Sequence, residues 1–272
     1  MAAKATWDAV WAAGGPVTAV ELRQEVDLEA GSSRCREILG YLRAQGLSVA
    51  GLRAVEVGCG SAIYGSILAQ RGASVTLLDQ SASALERAKA RAEALGVMVE
   101  CIQADAFRFA EENCGAFDLA MSFGTVEHFR PPSRLELCRA HANLVRPGGV
   151  VVVSVPNQLF LPHEILKRLL ILRGKWFLGY EGSFTPWELR TVARNLGLQG
   201  PVFHGTDVVH DAHRYWKIVA GTRLWGRIFP WWKSRNSGAV STKLQSGPHR
   251  PTTQSINRLL GLDITLLGVK GL

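Results

Sequence analysis

The residue types that could carry chemistry begin in the run Ala54-Val55-Glu56-Val57-Gly58-Cys59-Gly60-Ser61-Ala62. Closely spaced glycines after a β-rich run let the backbone turn sharply and approach a ligand with no Cβ in the way. A dinucleotide fingerprint needs a third glycine where Ile63 stands, so that reading fails. Glu56, two residues before the first glycine, would repel phosphates but suits a ligand with a cationic group. Asp79 lies 21 residues beyond Gly58, at the end of the next β-rich run. A carboxylate there can accept both hydroxyls of an adenosine ribose, and it argues against a 2′-phosphate. Asp105 follows a third run, in Gln103-Ala104-Asp105-Ala106-Phe107. It is placed to accept from an exocyclic amine while Ala106 or Phe107 covers the ring. His128 follows a fourth run, and an imidazole of near-neutral pKa can take a proton from a hydroxyl. The alternative is that His128 only organises its loop through a hydrogen bond.

These positions need a parallel sheet to bring them together. Between Leu52 and Asn157 short β-rich runs alternate with helical patterns, the pattern of a sheet covered by helices on both faces. Strands are predicted at Arg53–Gly58, Ser74–Asp79, Met98–Gln103, Phe117–Ser122 and Gly149–Val155. A helix between the second and third has capping-box spacing at Ser83 and Glu86 and a stop at Gly96. Ser133–Val145 reads as the next helix, with Leu135, Cys138, Ala142 and Val145 at helical spacing before a Pro147-Gly148-Gly149 turn. Beyond Pro156 the alternation breaks. Helices are expected at Pro162–Leu172 and Thr185–Leu196 and strands at Pro201–Val209 and Asp263–Val269, with a loop over Ser234–Ser255. The length of 272 residues fits one large α/β domain. It would comprise a helical segment over 1–50, a core over 51–156, cap segments over 157–182 and 205–255, and a closing strand within 256–272.

The runs VEVGCGSA, TLLDQS, IQADAF, FDLAMSFGTVEHF and LVRPGGVVVVSVPN together resemble the successive motifs of class I S-adenosylmethionine-dependent methyltransferases. They are most similar to the branch containing the quinone-biosynthesis O-methyltransferases. The resemblance covers Arg34–Asn157 and continues weakly through GSFTPWELRTVARNLGL, residues 182–198. It implies a Rossmann-like α/β fold, with a seven-stranded, mostly parallel sheet whose last strand is antiparallel. It implies S-adenosylmethionine as cofactor, with Glu56, Gly58 and Gly60 at the methionine end, Asp79 on the ribose, and Asp105 and Ala106 on the adenine. Cys59, Gln80 and Ser122 complete the expected binding set, and His128 is the expected catalytic base for methyl transfer to an oxygen. Ala62 stands where that family often has a further glycine. Some relatives hold a divalent metal with Glu-x-x-Glu-His at this place, but Gly124 occupies the first position here, and no metal is expected. His210-Asp211-x-His213 lacks further ligands at standard spacing and is read as polar surface or pocket lining.

Charge separates the two halves of the chain. Residues 1–156 hold 15 Lys/Arg against 17 Asp/Glu, whereas 157–272 hold 16 against 6 and carry the whole excess of the +8 net charge. Six of the eight tryptophans (Trp176, Trp187, Trp216, Trp225, Trp231 and Trp232) lie in the basic half, most of them in the Arg-rich stretch 214–235. Such a mixture suits an anionic membrane surface and a small-molecule or lipid-linked acceptor; the alternative is that these segments cap the pocket, with their rings packed inward and Arg on the outside. Stacking aromatics with Arg also suit nucleic acid. The loop after the fourth strand, Ser122-Phe123-Gly124-Thr125, lacks the Asn/Asp-Pro-Pro-aromatic sequence of enzymes that methylate DNA amino groups, which disfavours that alternative. A catalytically silent cofactor-binding module is disfavoured because the glycine and acidic positions are intact. No run approaches the roughly 18–20 uncharged apolar residues of a membrane span. Five cysteines without a CxxC pair and no secretory pattern at the N-terminus point to a reduced, cytoplasmic protein, and the basic Trp-rich half adds the option of a peripheral place at the inner face of a membrane.

Overall fold

Val150, Val151, Val152 and Val153 are all fully buried, which places their strand in the middle of a sheet covered on both faces. The computed structural model describes residues 2–13, 17–207, 257 and 259–271. Three helices come first, α1 (Ala2–Ala13), α2 (Ala19–Ala30) and α3 (Ser33–Ala44). The alternating core follows: β1 (Arg53–Val57), α4 (Ile63–Ala69), β2 (Ser74–Asp79), α5 (Ala82–Leu95), β3 (Glu100–Gln103), α6 (Ala106–Glu112), β4 (Phe117–Phe123), a 3₁₀ turn (Val126–His128), α7 (Ser133–Leu144) and β5 (Val145–Pro156). Then come α8 (Leu161–Leu172), α9 (Pro186–Asn195), β6 (Leu198–Gly205) and β7 (Asp263–Lys270).

The seven strands form one sheet in the order β3-β2-β1-β4-β5-β7-β6. β1 to β5 pair in parallel, and β7 runs antiparallel to both β5 and β6. This is the expected seven-stranded sheet with its last strand reversed. Alternate residues feed two cores. Val55, Val57, Ala120, Val151 and Val153 pack with α7 and α9 on one face. Ala54, Val75, Leu77, Leu119, Met121 and Val152 pack with α3, α4 and α5 on the other. The strand order reverses between β1 and β4, and an open α/β sheet leaves its ligand crevice at the strand tips beside such a switch.

Several boundaries differ from the sequence expectation. α5 is capped by Ser81, whose hydroxyl accepts from the Ala84 amide, not by Ser83, which lies within the helix; Gly96 ends it in the left-handed region at φ 67°. β3 begins at Glu100, two residues later than expected. β5 starts at Val145 and absorbs the expected Pro147-Gly148-Gly149 turn through a register shift against β4. A Cβ at Gly149 would stand 2.9 Å from the Arg146 carbonyl oxygen and 3.0 Å from that of Asp118, so only glycine lets the strands close there. β6 begins at Leu198, because Gly197, at φ 61°, turns the chain directly out of α9 into pairing with β7. The stretch 214–235, the loop at Ser234–Ser255 and the His210-Asp211-His213 group lie outside the described residues.

Candidate active site

A cavity of about 700 Å³ opens where β1, β2 and β4 end. Its floor is the bend after β1. Gly58 and Gly60 take φ of 62° and 50°, where an L side chain is strained. A Cβ at Gly58 would lie 2.4 Å from Thr125 Cγ2, and one at Gly60 would lie 2.5 Å from a ring carbon of Trp11. Both glycines are therefore required by space as well as by conformation. Asp79 fixes the bend: its Oδ2 accepts from the Gly60 amide and its Oδ1 from the Ser81 amide, each at 2.9 Å. Arg91 braces the same loop from α5 by donating to the Ser61 carbonyl at 2.8 Å.

Glu56 sits beneath the loop, 3% exposed, with Oε2 accepting from the Gly65 amide at 2.7 Å. Burial pushes its carboxyl up to about 8, against the amide and the Arg91 cation, which pull the other way. Burial also raises Asp79, against the amides that it accepts from. Two acids at adjacent strand tips thus favour a cation or a set of hydroxyls in the space above them. Cys59 and Gln80 also line the cavity, and burial holds the Cys59 thiol well above its ordinary value, so it is no nucleophile.

Two expected binding residues stand elsewhere. Asp105 is the N-cap of α6: its Oδ1 accepts from the Phe107 and Arg108 amides, and its Oδ2 from Gln80 Nε2 at 2.7 Å. The cavity wall there is Ala104 and Ala106 instead. Ser122 is fully buried within β4. β4 runs one residue further than expected, and Phe123, Gly124 and Thr125 form the wall.

His128 closes the 3₁₀ turn and lines the cavity. Its Nδ1 lies 2.9 Å from the Tyr180 carbonyl oxygen. A carbonyl only accepts, so this partner assigns the ring proton to Nδ1 and leaves the lone pair on Nε2. Burial holds the imidazole below its ordinary pKa, which keeps it neutral near pH 7. Among the described residues no group of three or more His, Cys, Asp or Glu gathers around a possible metal position.

Sequence reasoning missed two parts of the wall. Trp7 and Trp11 of α1 line the cavity, Trp7 meeting the His128 ring edge-on at 4.6 Å between centroids. Their i,i+4 spacing in an Ala-rich helix was the available signal. The other part is Arg34 at the start of α3. It donates to Tyr64 Oη at 2.7 Å and to Asp263 Oδ2 at 3.0 Å, and it pairs with Glu29. Its guanidinium lies 5.4 Å from the centre of the Tyr64 ring, which stacks on Phe123 at 3.7 Å. Nothing local in the sequence marks Arg34, since its partners come from α2, α4, β5 and β7.

Residues 54–149 match a family model described as a methyltransferase domain. The chain is 34% identical over 167 residues to a ubiquinone biosynthesis O-methyltransferase of Bordetella avium, covering 59% of this chain and 67% of the relative. It is 30% identical over 196 residues to one of Xanthomonas euvesicatoria, covering 70% and 75%. The chain belongs to the S-adenosylmethionine-dependent methyltransferases. A solved methyltransferase from Archaeoglobus fulgidus shares the fold at a TM-score of 0.53 and 15% identity, covering 86% of this chain and 94% of that one.

The methyltransferase site fits that donor. S-Adenosylmethionine joins a ribose, a sulfonium and a methionyl ammonium and carboxylate. The cavity offers a buried carboxyl at Glu56, a half-buried one at Asp79, the Arg34 cation, and a bend whose two glycines bring no Cβ of their own. Bound there, the donor supplies an electrophilic methyl carbon whose leaving group is a neutral thioether.

Proposed function

We propose that this methyltransferase methylates a hydroxyl oxygen of a small, lipid-linked acceptor at the inner face of an anionic membrane, with His128 as the base. One observation carries the oxygen chemistry: His128 lines the cavity and donates from Nδ1 to the Tyr180 carbonyl, which leaves the lone pair of its ring on Nε2. The acceptor hydroxyl would give its proton to Nε2 as its oxygen bonds to the methyl carbon. A neutral imidazole can do this near pH 7, and a base so placed contributes roughly 10²–10⁴-fold. The names of the relatives, O-methyltransferases of ubiquinone biosynthesis, support both the oxygen and an apolar acceptor.

In this reading Asp79 accepts from the ribose hydroxyls, Glu56 faces the methionyl ammonium, and Arg34 faces the carboxylate. Gly58, Cys59 and Gly60 give close backbone approach, while Gln80 and Ala106 flank the adenine. Asp105 acts from behind by capping α6, and Ser122 has no contact role.

Support for the membrane comes from α8. Leu161, Ile165, Leu169 and Leu172 follow one stripe of the helix and are 63%, 57%, 44% and 83% exposed, whereas Glu164 and Lys167 are buried. An amphipathic helix on a globular core normally has the opposite arrangement. Arg168, Arg173 and Lys175 are exposed on and just after this helix, so the apolar stripe carries the charge that an anionic bilayer attracts. Among the described residues no helix is long and apolar enough to cross a membrane.

The test is incubation of the purified enzyme with radiolabelled donor and fractionated cell extract. Label is expected in the lipid fraction. Replacing His128 by Ala should lower its appearance about 10²–10⁴-fold while donor affinity stays within about twofold. Label in nucleic acid, or an unaffected His128→Ala variant, contradicts the reading.

A further inference from the structure

The segment after α8 crosses between that helix and the 3₁₀ turn that carries His128. Its two sides make different contacts. On the backbone side, the Tyr180 carbonyl accepts from His128 Nδ1 at 2.9 Å, and the Gly182 amide donates to the Glu127 carbonyl at 2.8 Å. Between them, Glu181 sends its side chain into α8. Its Oε1 lies 2.7 Å from His163 Nε2 and 3.3 Å from Lys167 Nζ. The same Lys167 donates to Glu164 Oε1 and to Ser183 Oγ, each at 2.7 Å, and the Ser183 hydroxyl donates to Glu164 at 2.6 Å. The carboxylate of Glu181 and the ammonium of Lys167 are 4% and 6% exposed.

Such a network is costly to bury unless its members are paired. A helix could dock through apolar side chains at far lower cost, yet α8 turns its apolar stripe outward and docks through His163, Glu164 and Lys167. What the polar docking gains is a fixed position for Glu181, and with it for the carbonyl one residue earlier. That carbonyl selects the tautomer of the base.

We propose that Glu181 is a positioning residue for His128: gripped by His163 and Lys167 of α8, it holds the Tyr180 carbonyl against Nδ1 and so keeps the lone pair of the imidazole on Nε2. Without that hold the ring proton can move to Nε2, and the nitrogen facing the acceptor becomes a donor that cannot accept a proton. The groups that bear on the ring are few. Trp7 covers one edge, Glu127 Oε1 stands 3.9 Å from Nε2, and Glu181 and Lys167 act from the α8 side. Burial raises the Glu127 carboxyl well above its ordinary range.

The inference rests on the reading of His128 as the base, but its test is read on the imidazole itself. Full-length protein with ¹⁵N-labelled histidine is compared by NMR as wild type, Glu181→Ala, Lys167→Met and the conservative Glu181→Gln. The wild-type ring should show the Nδ1–H tautomer. In Glu181→Ala and Lys167→Met the Nε2–H form should rise to a comparable share, and the His128 titration midpoint should move by about half a pH unit or more. Glu181→Gln keeps an acceptor for His163 and should restore the wild-type spectrum. In turnover, kcat should fall about tenfold in the two disruptive variants, with donor KM unchanged. Retained donor binding by calorimetry shows that either variant is folded. If a folded variant of either kind keeps the wild-type tautomer and midpoint, the proposal is wrong whatever its activity. If the tautomer shifts but His128→Ala still turns over at the wild-type rate, the base assignment fails while the positioning role of Glu181 stands.

Discussion

Ala62 holds a backbone of φ 54° and ψ 45°, the only non-glycine residue at positive φ among the described residues. The left-handed conformation costs about 1–2 kcal/mol for an L residue. Glycine would relieve that cost but would lose a buried methyl, about 0.8 kcal/mol, and add roughly 0.5–1 kcal/mol of unfolded-chain freedom. The two sides cancel, which is why alanine serves in this left-handed position. Ala62→Gly is therefore expected to leave stability within about 0.5 kcal/mol, whereas Ala62→Val, β-branched and overpacked, should cost about 2 kcal/mol or more in urea unfolding. Glu56 supplies a second test. With its carboxyl near 8 in the free enzyme, it is protonated at pH 7, and a donor ammonium beside it favours the ionised form. Donor binding at pH 7 should release nearly one proton, measured by calorimetry in buffers of different ionisation enthalpy. Affinity should rise about tenfold from pH 6 to 7 and level off near 8, and Glu56→Gln should abolish both effects. The raised carboxyl also has a stability sign: its contribution is full below about 4.5 and is lost as pH rises through about 8. Glu56, Gly58, Gly60, Asp79 and His128 were legible because strand tips and glycine bends are local features. Arg34 was not, because its meaning comes from partners up to 229 residues away. Asp105 shows the converse, since an acid after a strand is also what a following helix takes as its cap.

Elements were legible where their ends carried their own signals. Gly96 stopped α5 and Thr185 with Pro186 started α9, as written in their side chains and backbone preferences. β5 and β6 shifted because a ladder partner extended them, and a partner strand is invisible in a local pattern. α7 carries a feature that periodicity could not distinguish from ordinary polarity. His141 is fully buried on the side facing the core, with Nδ1 donating to the Leu137 carbonyl at 2.7 Å and Nε2 unpartnered among the described residues. Burial pushes its imidazole down to about 4. The folded state thus binds this proton less readily than the unfolded chain, so the stability from a neutral His141 is complete above about pH 6.5 and is lost as pH falls toward 4. Between pH 7 and pH 5 this one residue should cost the fold about 2 kcal/mol. In urea unfolding, the gap in stability between those two pH values should shrink by about that amount in His141→Leu. An unchanged gap would mean that the ring already finds a partner when protonated.

At the scale of the molecule, the polar site and the apolar stripe of α8 are joined through the segment 180–183, and the charge of the chain is concentrated in the same half. A lipid-linked acceptor would give that geometry a use, because its head could enter the cavity while its tail stayed in the bilayer. The energetics can be bounded. Three exposed cations, Arg168, Arg173 and Lys175, contribute about 1 kcal/mol each near an anionic surface, so vesicles containing anionic lipid should bind the enzyme about 100-fold more tightly than neutral ones. The stripe adds to this on any bilayer, at up to about 1.5–3 kcal/mol for each side chain that leaves water completely. Carboxylates in place of Ile165 and Leu169 should lower co-sedimentation with anionic vesicles by tenfold or more. Because both side chains point away from the protein, donor binding in solution should stay within about twofold. Raising the salt should weaken the wild type and leave little difference between lipid compositions. If the doubly substituted protein sediments as the wild type does, α8 is not the contact, and the inverted pattern of its buried charges and exposed leucines serves only to hold Glu181.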